Sequence, residues 1–183
     1  MSVSPGRSSA SVATLNGVGD GCLGRVAPAA PAFPLICADS LTVGVPSDLP
    51  LNGTPGVEDR SGGSKGRFTV EFVFNNTLAS VGSVTTSCGT VVNSMIDSSD
   101  AHRSIANLRN VTCNAEDVTI TLNNVVDGTS NTIVFTEAVM GLLLGDVDGD
   151  GSVTSADFSI EKADQGQTTD GNNFRADINA NGS

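Results

Sequence analysis

Twelve residues, Asp146-Val147-Asp148-Gly149-Asp150-Gly151-Ser152-Val153-Thr154-Ser155-Ala156-Asp157, carry oxygen-bearing side chains at the spacing a hard divalent cation requires. Ca²⁺ takes roughly six to eight oxygen ligands, and EF-hand-type loops supply them from positions 1, 3, 5, 7, 9 and 12, with glycine at 6 for the sharp turn. Here those positions are Asp146, Asp148, Asp150, Ser152 through its carbonyl, Thr154 directly or through water, and Asp157, with Gly151 at the turn. Thirty-one residues later Asp177-Ile178-Asn179-Ala180-Asn181-Gly182-Ser183 starts the pattern again. Asp177, Asn179, Asn181 and Ser183 are therefore candidate ligands of a partial second Ca²⁺ site. Two acids of the first loop are Asn in this copy, and its positions 9 and 12 lie past Ser183. Both differences lower ligand charge, so the first site is expected to be the tighter.

Other constellations suggest less. Ser94, Asp97, Ser98, Ser99, Asp100 and His102 hold the residue types of a nucleophilic triad, but all are expected in one loop between strands, where solvation explains them. Glu58, Asp59 and Glu71 could be read as paired carboxylates of a glycosidase, yet the chain has no Trp or Tyr to stack a sugar. No catalytic residue is assigned. The cysteines Cys22, Cys37, Cys88 and Cys113 have no CxxC spacing, and His102 is the single histidine, which disfavours zinc. Three pairings are open to them. A Cys88–Cys113 bridge would close a loop worth roughly 3 kcal/mol in the chain-entropy model, while the alternative is two buried thiols acting as small hydrophobes.

Charge is uneven along the chain. The net value is −11, and residues 145–183 hold eight acids against Lys162 and Arg175. Acidity thus gathers where cations would bind, and no basic cluster offers a footprint for nucleic acid or anionic lipid. No stretch is apolar and long enough for a transmembrane helix. A signal-peptide core is also missing, because Ala27 to Phe33 is broken by Pro28 and Pro31, with Pro34 next.

The elements that must position the loops are mostly strands. Phe68, Val70, Phe72 and Phe74 alternate with Thr69, Glu71 and Val73, the period of a half-buried strand. Gly62, Gly63 and Gly66 before it supply turns. Further strands are expected at 83–87, 91–96, 104–108, 118–125 and 132–139, and the earlier pair 40–45 and 48–51 is expected to add one or two edge strands. Within them Val118, Ile120 and Leu122 share one face, as do Ile133 and Phe135, and 114–117 and Asp127-Gly128 are turn material. Such a series of short strands fits a mainly β fold, an immunoglobulin-like β-sandwich. Residues 1–38, rich in Ser, Gly, Ala and Pro, have no period and are expected to be a disordered or poorly structured leader, or an arbitrary start within a longer chain. The sandwich is assigned to 39–143 and the calcium-loop module to 144–183, with a helix over 155–165. Gly141-Leu142-Leu143-Leu144-Gly145 leaves no flexible linker, so the two parts should touch.

The two D-x-[DN]-x-[DN]-G loops, the first with Asp at position 12, resemble the duplicated repeat of dockerin domains over residues 145–183. The resemblance implies a truncated, α-helical calcium-loop module and a cohesin-like protein partner. A wider likeness to secreted bacterial proteins in which a β-sandwich runs into such a repeat rests on residues 49–58, Arg60-Ser61-Gly62-Gly63, the strand from Phe68, residues 141–151 and Asn173-Phe174-Arg175-Ala176-Asp177. It implies an extracellular or cell-surface location and no enzymatic role. The expected function is a non-catalytic Ca²⁺-binding module for anchoring or assembly. Two alternatives remain: an accessory part of a polysaccharide-degrading hydrolase whose catalytic domain lies upstream, or an adhesin or fibre subunit joined by strand addition.

Overall fold

The computed structural model describes residues 35–42, 45–49 and 53–182, with side chains for Leu49 and 53–182. The order is β1 (Leu35–Thr42), β2 (Val45–Leu49), β3 (Gly56–Glu58), a 3-10 turn (Gly63–Lys65), β4 (Phe68–Phe74), β5 (Leu78–Thr86), β6 (Thr90–Ile96), β7 (Arg103–Arg109), β8 (Glu116–Asp127), β9 (Thr132–Leu142), α1 (Ser155–Asp164) and a 3-10 turn (Phe174–Ala176). The fold is mainly β. One sheet has the order β2-β1-β4-β7-β6 and the other β3-β9-β8-β5. All pairings are antiparallel except β3 with β9.

Side-chain alternation builds the core from both sheets. Phe68, Val70, Phe72 and Phe74 of β4 are buried, as expected from their period, and meet Val118, Ile120 and Leu122 of β8 in a single cluster. Ala106 and Leu108 of β7 and Ala138, Met140 and Leu142 of β9 also belong to it. Cys88 and Cys113 are joined in a disulfide with Cα atoms 6.5 Å apart, and both pack against this cluster. Cys22 and the side chain of Cys37 lie outside the described residues.

Several expectations need correction. The 1–38 leader extends too far, since Leu35–Thr42 is a strand; residues 1–34 lie outside the described residues. Of the expected pair, β2 lies at the edge of its sheet, whereas β1 lies inside it, paired with β2 on one side and β4 on the other. Strand β3 has no counterpart among the expected strands, because three residues are too short to show a period. Glu116 and Asp117 begin β8 rather than forming a turn, and β9 continues past 139 to Leu142. Ser94 belongs to β6, not to the loop that holds Asp97 and His102. Ile133 and Phe135 do not share a face: Ile133 is buried, whereas Phe135 is 61% exposed. The cause is Asn124, with φ +50°, between the pairs Asn123↔Phe135 and Val125↔Ile133. A left-handed residue there shifts the in-out alternation of both strands by one.

Two turns shape opposite ends of the sheets, the first near residue 60 and the second at the β8–β9 hairpin. Gly66 has φ +50°, and a Cβ there would collide with the Val111 carbonyl, so this position requires glycine. At the β8–β9 hairpin, the Asp127 carboxylate accepts from the Thr129 and Asn131 amides at 2.9 and 2.8 Å and from the Asn76 side chain at 2.7 Å. Burial alone would raise its pKa, but hydrogen bonds from Asn131, Asn76 and Thr129 outweigh that and hold it well below the usual carboxylate range.

Candidate metal centre

The end of β9 delivers the first loop. Beyond the β3–β9 pairing, the amides of Leu143 and Gly145 bond the carbonyls of Glu58 and Asp59 at 3.2 and 3.1 Å. The next residue, Asp146, is fully buried. Its two carboxylate oxygens accept from the amides of Asp150 at 3.1 Å and Gly151 at 2.9 Å, while its carbonyl accepts from Gly149 at 3.2 Å. Gly149 and Gly151 have φ of +74° and +88°, the left-handed conformations that fold the loop back over its first residue.

Helix α1 closes the far side. Thr154 is its N-cap: its hydroxyl accepts from the Ala156 amide at 3.1 Å, leaving Asp157 on the first turn. Asp157 accepts from the amides of Thr154 at 2.7 Å and Asp148 at 3.1 Å, so one carboxylate both caps the helix and ties the loop's last position to its third. Those two hydrogen bonds hold its pKa below the ordinary value.

Carboxylate oxygens of Asp146, Asp148 and Asp157 consequently lie within 4.8 Å of one another. Three like charges this close repel, and a divalent cation among them would reverse the sign of the interaction. An all-oxygen set suits a hard ion such as Ca²⁺. Of the remaining positions expected from sequence, Asp150 stands outside this group and accepts the Ser152 amide at 2.8 Å. Ser152 is exposed, and the Thr154 hydroxyl serves the helix cap.

The second loop repeats the backbone geometry of the first. Asp177 is buried, and it accepts from the amides of Asn181 at 3.0 Å and Gly182 at 2.8 Å, with the Ala180 amide on its carbonyl at 2.9 Å. These are the same steps along the chain as at Asp146. Ala180 and Gly182 take φ of +54° and +91°, matching Gly149 and Gly151. The second loop accepts the strain of a left-handed alanine to hold this shape. Among the described residues, no group of three or more possible ligand carboxylates includes Asp177; Asn179 and Asn181 stand where the first loop has Asp148 and Asp150, and Ser183 lies outside the described residues.

Residues outside the two loops, several of them in the stretches that carry the wider likeness, hold the loops against the sheets. Arg175 donates from Nε to the Val147 carbonyl at 2.8 Å, from Nη2 to the Asp146 carbonyl at 2.7 Å and from Nη1 to the Val57 carbonyl at 2.9 Å. Its Nη2 is also 3.4 Å from Oδ1 of Asp59. Asp59 is fully buried and neither carboxylate oxygen receives a hydrogen bond. Burial pushes its pKa up to about 7, against the opposing pull of Arg175. Beside it, Arg60 grips Glu58 at 2.6 and 2.7 Å, both buried, and lies 4.9 Å over the Phe174 ring. The Ser61 amide reaches the Ile178 carbonyl at 2.7 Å. A hint was available in the sequence: Arg175 is one of only two basic residues in the acidic tail.

Two other groupings have structural roles. Sulfurs of Cys88 and Cys113 lie near Glu116, but they are bonded to each other. Asp97 folds its own loop by accepting from the Ser99 amide and hydroxyl, both at 2.8 Å, and Arg103 pairs with Glu71 and Asp100. Among the described residues, no helix is long and apolar enough to cross a membrane. No protein-family model, curated protein or solved structure matches this chain.

Proposed function

We propose that this protein is a non-catalytic, extracellular Ca²⁺-binding module in which an immunoglobulin-like β-sandwich carries a dockerin-like repeat used for anchoring or assembly with a protein partner. The observation that carries the reading is the convergence of the Asp146, Asp148 and Asp157 carboxylates within 4.8 Å. Amide hydrogen bonds aim those groups inward, which is the preorganisation a cation site needs. Calcium acts here as a structural ion: it offsets the carboxylate repulsion and fixes the start of α1.

Isothermal titration of the whole chain with Ca²⁺ is the test. One saturable site is expected, lost in Asp146→Ala and in Asp157→Ala. Absence of binding heat in the unaltered protein, together with unchanged melting in chelator, would overturn the reading.

A further inference from the structure

Arg175 stands at a three-way junction. Its guanidinium donates to the first two carbonyls of the Asp146 loop, to the Val57 carbonyl of β3, and pairs with buried Asp59 one residue beyond that strand. It also lies two residues before Asp177, so the flank of the second loop braces the backbone of the first. A planar fork with fixed donors suits this task, because three carbonyls at three angles are met by one rigid group. We infer that Arg175, anchored by Asp59, is the positioning residue through which cation occupancy of the Asp146 loop is transmitted to the stability of the two β-sheets.

The inference rests on the calcium reading above and extends it. The hydrogen bonds of Arg175 end on carbonyls whose neighbouring side chains are the candidate ligands, so ordering the loop orders the guanidinium. The same group holds β3, whose parallel pairing with β9 is continued by the Leu143 and Gly145 amides. Loop and sheet edge thus share one hydrogen-bond network, and a ligand that binds only the folded loop stabilises everything cooperative with it. Asp59 offsets the guanidinium charge, so the fork can sit behind the loop without repelling the cation from its carboxylates.

Calorimetric Ca²⁺ titration and thermal unfolding followed by the far-ultraviolet β signal test this in the full chain at about pH 8, above the raised pKa of Asp59. In the unaltered protein, Ca²⁺ at a hundredfold excess over Kd should raise the β melting temperature by about 5–10 °C. Arg175→Gln should weaken Ca²⁺ binding about tenfold and abolish most of the shift even at saturating Ca²⁺, with Arg175→Lys between the two. Hydrogen exchange of the unaltered protein is a measurement independent of any variant: Ca²⁺ should slow the Ser61, Leu143 and Gly145 amides. Binding with an unshifted β melt in the unaltered protein, an undiminished shift in Arg175→Gln, or no slowing of those amides would overturn the coupling and leave the calcium site standing. No binding heat at all would overturn the calcium reading and the coupling with it.

Discussion

Asp157 serves two structures at once, as helix-capping acid and as the residue that bonds the third position of the loop. Asp157→Asn removes a charge and leaves one acceptor oxygen for two backbone amides, so Ca²⁺ affinity should fall steeply in a titration and the start of α1 should loosen, while the strands persist. Asp150→Ala should cost less affinity, because Asp150 lies outside the converging group. Away from the loops, Asp127 is held ionised by donors from its own turn, Thr129 and Asn131, and from Asn76 beyond β4. Its lowered folded pKa means that it contributes stability above its unfolded value of 3.8, and that this is lost as pH falls through the folded value. Asp127→Ala should therefore lower the melting temperature at neutral pH and flatten its decline in acid, as measured by calorimetry.

Helix α1 is the element least able to stand alone. Asp157 is its one buried residue, while Phe158 and Ile160 are 63% and 37% exposed. Ten residues are too few for a stable isolated helix, and apolar packing contributes little here. Its order must come from the cap and the loop. Thr154→Ala should destabilise it by about 1 kcal/mol, and chelation of Ca²⁺ should speed amide exchange throughout Ser155–Asp164 relative to the strands. The strands have the opposite balance. Phe72→Ala, at a fully buried position of β4, should cost about 3–5 kcal/mol in denaturant unfolding. These contrasts follow the legibility of each element: long alternating runs such as β4 and β8 could be read directly, whereas β3 is held by a parallel partner more than 80 residues away and its own residues carry no sign of that.

At the scale of the molecule, the junction between loops and sheets concentrates buried charge. Glu58, Asp59 and Arg60 are all nearly inaccessible, and Arg175 comes from the opposite end of the described chain. Asp59 has a folded pKa of about 7, above its ordinary 3.8, because burial penalises its charged form. The folded state therefore binds the proton more tightly than the unfolded state. This contribution is fully present below pH 3.8 and is lost as pH rises to about 7, after which it stays constant. In calcium-free buffer, Asp59→Asn should remove that segment of the stability profile, leaving the acid-side loss due to Asp127. Glu58, Arg60 and Arg175 face the same region, so the comparison is between the unaltered protein and this one variant across pH.

Sequence by itself determined the short-range features: the strand period at Phe68–Phe74, the helix behind Thr154, and the spacing of Asp146, Asp148 and Asp157. Each follows from rules that act within a dozen residues, namely alternation, capping and ligand spacing. The repeat at Asp177 was visible as well, though its identical left-handed positions were not. Tertiary structure alone decided that β1 lies inside a sheet, that Asn124 turns Phe135 outward, and that Arg175 joins both loops to Asp59. Those outcomes depend on which strands become neighbours and which charges lose water together, and neither is encoded by the residues adjacent in the chain.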